Sequence, residues 1–80
     1  MQISEIKRLA ETYSLEQLSK AEEAIIEEQK PEIEIHGEDE GEMLTHIMAA
    51  TWIKTDMIKN GTDVRTSLRN YTQKVRKSIS

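Results

Sequence analysis

The chain has 80 residues and a mass of 9.2 kDa, room for one hydrophobic core and no second domain. It contains no cysteine, which excludes a disulfide framework, a thiolate zinc site and a cysteine nucleophile. The net charge of −4 hides a division: residues 1–42 carry thirteen acids against four bases, and residues 43–80 carry seven bases against two acids. Such a division marks either a basic surface aimed at an anionic partner or two halves that complement each other within one chain or between copies. The opening Met1-Gln2-Ile3-Ser4-Glu5-Ile6-Lys7 lacks the apolar core of a signal peptide, and no apolar run approaches the ~20 residues of a membrane span. A cytoplasmic protein without membrane contact is therefore expected.

Ile3, Ile6, Leu9, Ala10 and Tyr13 fall at helical spacing and predict a first helix over 3–13. Ser14 followed three residues later by Gln17 is a capping-box pattern, with Tyr13 and Leu18 placed as the matching hydrophobic staple. A second helix should start there and run to about Glu28, its apolar arc being Leu15, Leu18, Ala21, Ile25 and Ile26, with Glu16, Lys20, Glu23 and Glu27 on the opposite ridge. Pro31 then forbids continuation and pushes Lys30 toward an extended conformation.

Glu32-Ile33-Glu34-Ile35-His36 alternates polar and apolar before Gly37, the period of a strand, yet no second strand is evident. A lone strand leaves its backbone unpaired. Pairing two copies antiparallel about Glu34 sets carboxylate against carboxylate, so an extended connector over 32–36, pinned by Ile33 and Ile35, is the expectation.

The acidic run Glu38-Asp39-Glu40-Gly41-Glu42 suits the first turn of a third helix, where the dipole favours negative charge. That helix should run to Lys59 and stop at Asn60-Gly61. Its apolar set is broad, with Met43, Leu44, Ile47, Met48, Ala49, Ala50, Trp52, Ile53, Met57 and Ile58 leaving only a narrow polar sector around Thr45 and Asp56. A helix apolar nearly all round is buried on several sides. The fourth helix, from about Asp63 to Ser78 and capped by Thr62 or Asp63, carries a narrower stripe of Val64, Leu68, Tyr71, Val75 and Ile79, flanked by Arg65, Arg69 and Arg76. The fold class is all-α: four helices in one domain spanning 1–80.

Four strings carry a resemblance: Ile3-Ser4-Glu5-Ile6-Lys7, Glu11-Thr12-Tyr13-Ser14-Leu15-Glu16, Glu40-Gly41-Glu42-Met43-Leu44-Thr45-His46 and Tyr71-Thr72-Gln73-Lys74-Val75-Arg76. Together they resemble a family of small uncharacterised bacterial proteins, a domain of unknown function of about this length, over nearly the whole chain. The resemblance implies a free-standing bacterial protein and supplies no reaction, ligand or site residue.

Three chemistries can be weighed from the residues. Glu42 and His46 stand one helical turn apart and could face one ion, but bundle metal sites draw several such motifs from different helices, and an ordinary surface pair is the simpler reading. The long helix, the Asn60-Gly61 turn and the basic helix match the outline of a helix-turn-helix, with Arg65, Thr66, Arg69, Asn70 and Gln73 of types that contact bases or phosphates; an overall charge of −4 weighs against it. The serines sit in no nucleophile-elbow sequence and no Gly-rich loop is present to cradle phosphate, so neither an enzyme nor a cofactor is expected. There remains the excess apolar surface of the third helix, which needs a cover. The expected function is a non-enzymatic interaction module, a homodimer with Met48, Ala49, Trp52 and Ile53 at the interface, with another cytoplasmic protein as the alternative partner. Nucleic-acid binding through the C-terminal helix is the second reading, and metal binding through Glu42 and His46 the third.

Overall fold

The computed structural model describes residues 2–79, with side chains through Lys77. Four helices follow in order: α1 (Ile3–Thr12), α2 (Leu15–Ile26), α3 (Glu40–Asn60) and α4 (Val64–Ile79). No strand occurs among the described residues, and residues 32–36 form the expected connector without regular structure.

Local chemistry sets each junction. Between α1 and α2 the backbone turns extended at Tyr13 and Ser14, and both bonds of the capping box form: the Gln17 N–H donates to Ser14 Oγ at 3.2 Å, and the Ser14 N–H donates to Gln17 Oε1 at 2.9 Å. Asp39 caps α3 by accepting the Glu42 N–H at 2.7 Å, and Asp63 caps α4 by accepting that of Thr66 at 2.8 Å. The backbone N–H of Thr66 is the main reason the Asp63 carboxyl lies below its ordinary range. Thr62, the other candidate cap, instead pairs its hydroxyl with the buried Ser67 Oγ at 2.6 Å.

α2 stops at Ile26, earlier than the Glu28 read from the sequence and well before Pro31. The Glu28 N–H donates to the Ile25 carbonyl and the Gln29 N–H to that of Ala24, the paired bonds of a Schellman motif. This closure puts Glu28 at φ 60°, a left-handed conformation that favours glycine. Gly61 ends α3 in the same conformation at φ 64°, here with the residue type the geometry prefers.

α3 is the axis of the molecule. Its 21 residues reach about 31 Å, matching the longest dimension of the fold, 31 Å. α1, α2 and α4 all pack on it, and α1 also meets α4. The core combines Ile6, Leu9 and Ala10 of α1, Leu18, Ala21 and Ile25 of α2, Ile35 of the connector and the buried arc Ile47, Ala49, Ala50 and Ile53 of α3. From α4, Val64, Leu68 and Tyr71 complete it as half-buried side chains; Val75 is half-buried too, while the side chain of Ile79, the last of the stripe, lies outside the described residues.

Two substitutions separate these helix ends. Gly61→Ala is expected to cost about 1 kcal/mol, wholly from backbone strain because no atom lies within 4 Å of the added methyl group. Glu28→Gly is expected to gain about 0.5–1 kcal/mol by relieving the same strain. Urea unfolding reads both; a neutral Gly61→Ala contradicts the left-handed stop.

Candidate functional site

The connector has no strand beside it, yet its backbone is satisfied by side chains. Glu5 lies on α1 beside Leu9 and is only 4% exposed. Its Oε2 accepts the His36 N–H at 2.7 Å, while Arg8, one turn on, grips both carboxylate oxygens at 2.8 Å. The same Arg8 donates to the Glu34 carbonyl at 2.7 Å. From α3, His46 Nδ1 donates to the His36 carbonyl at 2.8 Å, and its Nε2 accepts the Gln2 N–H at 2.9 Å. An N–H can only donate and a carbonyl only accept, so these partners fix His46 as a neutral ring in the Nδ1–H tautomer. One polar chain, Arg8–Glu5–His36–His46–Gln2, thus ties α1, the connector and α3 together. Gly37 lets the backbone follow this path, since a methyl group there would stand 2.8 Å from Met43 Cγ.

Burial raises the Glu5 pKa, but the Arg8 bonds and the His36 N–H outweigh it and the carboxyl lies below its ordinary range. Bonding to Glu5 in turn holds Arg8 firmly charged. Both are held by partners on the chain itself, Glu5 by Arg8 and the His36 N–H, and Arg8 by Glu5 and the Glu34 carbonyl. His46 is fully buried, and its lone pair is taken by Gln2, so the Glu42–His46 pair read from the sequence does not form a joint face for an ion. No group of three or more His, Asp or Glu side chains is placed to hold a metal among the described residues. His46 sits on the helical wheel between Ile53 and Ala50, in the middle of the apolar arc. That position was the available signal for its burial.

The opposite side of α3 is uncovered. Leu44, Met48, Thr51, Thr55 and Ile58 follow one another at spacings of 4, 3, 4 and 3, a heptad seam along about 21 Å of helix. Met48 is 52% and Ile58 63% exposed; Thr55 is exposed, and Leu44 and Thr51 are half-buried. The threonines are less polar than they read. Thr51 Oγ1 donates to the Ile47 carbonyl at 2.7 Å and Thr55 Oγ1 to the Thr51 carbonyl at 2.8 Å, which spends each hydroxyl on its own helix. No charged side chain interrupts the seam, because Lys54 and Asp56 project to either side of it on the wheel.

Of the four residues expected at an interface, Ala49 and Ile53 are enclosed in the chain's own core, and Met48 lies on the open seam. Trp52 is half-buried on its flank, 5.6 Å from the Tyr71 ring with Lys74 Nζ 5.2 Å from its centroid. Asp56 also faces α4: Asn70 Nδ2 donates to it at 3.0 Å, and that bond leads the causes that lower its pKa. Arg65, Arg69 and Arg76 are all exposed, in a row beside the apolar stripe of α4.

At neutral pH, Glu5→Gln is expected to destabilise the fold by about 1–3 kcal/mol, read by chemical unfolding. The folded carboxyl is the stronger acid, so the unfolded chain binds more protons and this contribution is complete above the ordinary glutamate range. It is lost as pH falls through the depressed folded value, and the variant should approach the wild type there. His46→Phe is expected to cost about 2 kcal/mol or more, because the Gln2 N–H and the His36 carbonyl lose their partner; an unchanged midpoint contradicts the clamp.

Residues 1–80, the entire chain, match the model of a family of unknown function (DUF6952). No curated protein and no solved structure shows a significant match. The small all-helical chain is a member of that family, DUF6952.

Proposed function

We propose that the protein is a non-enzymatic interaction module that pairs with a second copy of itself through the open seam of α3. The observation that carries this reading is the charge-free heptad stripe Leu44, Met48, Thr51, Thr55 and Ile58, with Met48, Thr55 and Ile58 exposed and Leu44 and Thr51 only half-covered while three helices pack on the rest of α3. A seam of period 3.5 is the geometry by which helices of one kind interlock.

Charge selects the direction. The start of α3 carries Glu38, Asp39, Glu40 and Glu42, and its end carries Lys59. A parallel pair brings the two acidic ends together, whereas an antiparallel pair sets each beside its partner's Lys59 end and opposes the helix dipoles favourably. In the antiparallel register centred on Thr51, Leu44 faces Ile58 of the second copy and Met48 falls between its Thr51 and Thr55, within one residue of the latter. The pair is then closed by a two-fold axis at Thr51.

Sedimentation velocity tests the pairing. Ile58→Glu buries an unpaired carboxylate against Leu44 of the second copy and is expected to weaken association by about 2 kcal/mol, roughly 30-fold, without unfolding an exposed site. A wild type that sediments as a 9.2 kDa monomer contradicts the reading. Direction is read by cysteine substitution in a chain with no native cysteine. Under mild oxidation Thr51→Cys is expected to cross-link two copies and Ile58→Cys is not; cross-linking of both indicates a parallel pair.

A further inference from the structure

We infer that pairing through α3 assembles a continuous basic face from the two α4 helices, and that this face binds the phosphodiester backbone of a nucleic acid. The inference rests on the antiparallel pairing proposed above.

α4 lies on one flank of α3, fixed there by Trp52 against Tyr71 and by Asp56 bonded to Asn70. α1 packs on both α3 and α4, while α2 packs on α3 without extensive contact with α4 and so takes the other flank. The two-fold axis of an antiparallel pair stands perpendicular to both α3 helices and to the line joining them. It therefore carries each flank onto the same side of the dimer. Both α4 helices share one side, and both α2 helices, with exposed Glu16 and Glu23, share the other. A monomer with a net charge of −4 becomes a dimer with its charges sorted by face, which answers the objection that overall acidity raises against an anionic partner.

The chemistry of the basic face favours phosphate. α4 carries five bases and no acid, and three of the chain's four arginines, Arg65, Arg69 and Arg76, fall within one narrow row of its wheel. That row spans about 16 Å. Arginine forks bond phosphate oxygens in pairs, and Gln73 is exposed on the same helix. A membrane surface fits less well: the exposed residues of α4 through Lys77 are Arg65, Thr66, Arg69, Gln73, Lys74, Arg76 and Lys77, with no apolar side chain to enter the lipid boundary.

Fluorescence anisotropy with a short labelled duplex, DNA in one arm and RNA in the other, tests the proposal alongside sedimentation. Six arginine–phosphate contacts per dimer imply that affinity for at least one duplex falls about 10³-fold between about 50 and 200 mM salt. The triple variant Arg65→Ala, Arg69→Ala, Arg76→Ala should lose this binding while remaining a dimer, and Ile58→Glu should retain about half the salt dependence. A wild-type dimer that binds neither duplex at low salt overturns the nucleic-acid inference and leaves the pairing intact. A wild-type monomer overturns the pairing and the joined face with it. Equal affinity for poly-glutamate, or salt-sensitive stacking of dimers in place of duplex binding, also overturns the assignment of the partner.

Discussion

A stretch of backbone outside any helix, with no strand beside it, must find partners for its N–H and C=O groups, and the way residues 34–36 find theirs organises the molecule. An unpaired buried backbone group costs as much as a lost hydrogen bond. Glu5, Arg8 and His46 take the place of a neighbouring strand, bonding the His36 N–H, the Glu34 carbonyl and the His36 carbonyl. Because these side chains come from α1 and α3, satisfying the connector also fixes both helices against it and seats Ile35 in the core. A carboxylate is tolerated at 4% exposure only because a guanidinium and a backbone donor meet it there.

That arrangement decides which side of α3 remains open. The clamp and the three packed helices consume the arc containing His46, Ala50 and Ile53. Opposite it runs a row of Leu, Met, Thr, Thr and Ile whose central hydroxyls are spent on the helix itself. A surface of this kind gains little from water and offers methyl groups to a neighbour. The same division places the basic helix on one flank and the acidic helix on the other, so the fold of a single chain carries the polarity that a pair would display.

Features closed within a few residues were legible in the sequence. The capping box at Ser14 and Gln17, a cap at Thr62 or Asp63 (the structure selects Asp63) and the Gly61 stop depend on neighbours three or four positions away, and the connector over 32–36 follows from an unpaired alternation. Contacts across the chain were not legible. Glu5 meets His36 thirty-one positions later, and His46 meets Gln2 at a separation of forty-four, so an acid given no role in the sequence and a histidine read as half of a surface pair are interior residues. The seam was legible only in part: the breadth of apolar residues on α3 signalled surplus surface and included Met48 in it, but also Ala49 and Ile53, which the core absorbs, and left out Thr51 and Thr55. Glu28 shows the converse, since the Schellman closure overrides a residue type that gives no sign of a left-handed turn.

Amide hydrogen exchange at His36 tests the clamp most directly. The His36 N–H has no helical or strand partner, so protection there can come only from the Glu5 carboxylate held by Arg8. Exchange at least ~100-fold slower than in an unstructured peptide, lost in Glu5→Ala while the α3 amides stay protected, is the result the account predicts. A His36 amide that exchanges freely in the native protein would show that the connector is not held by these side chains and would contradict it.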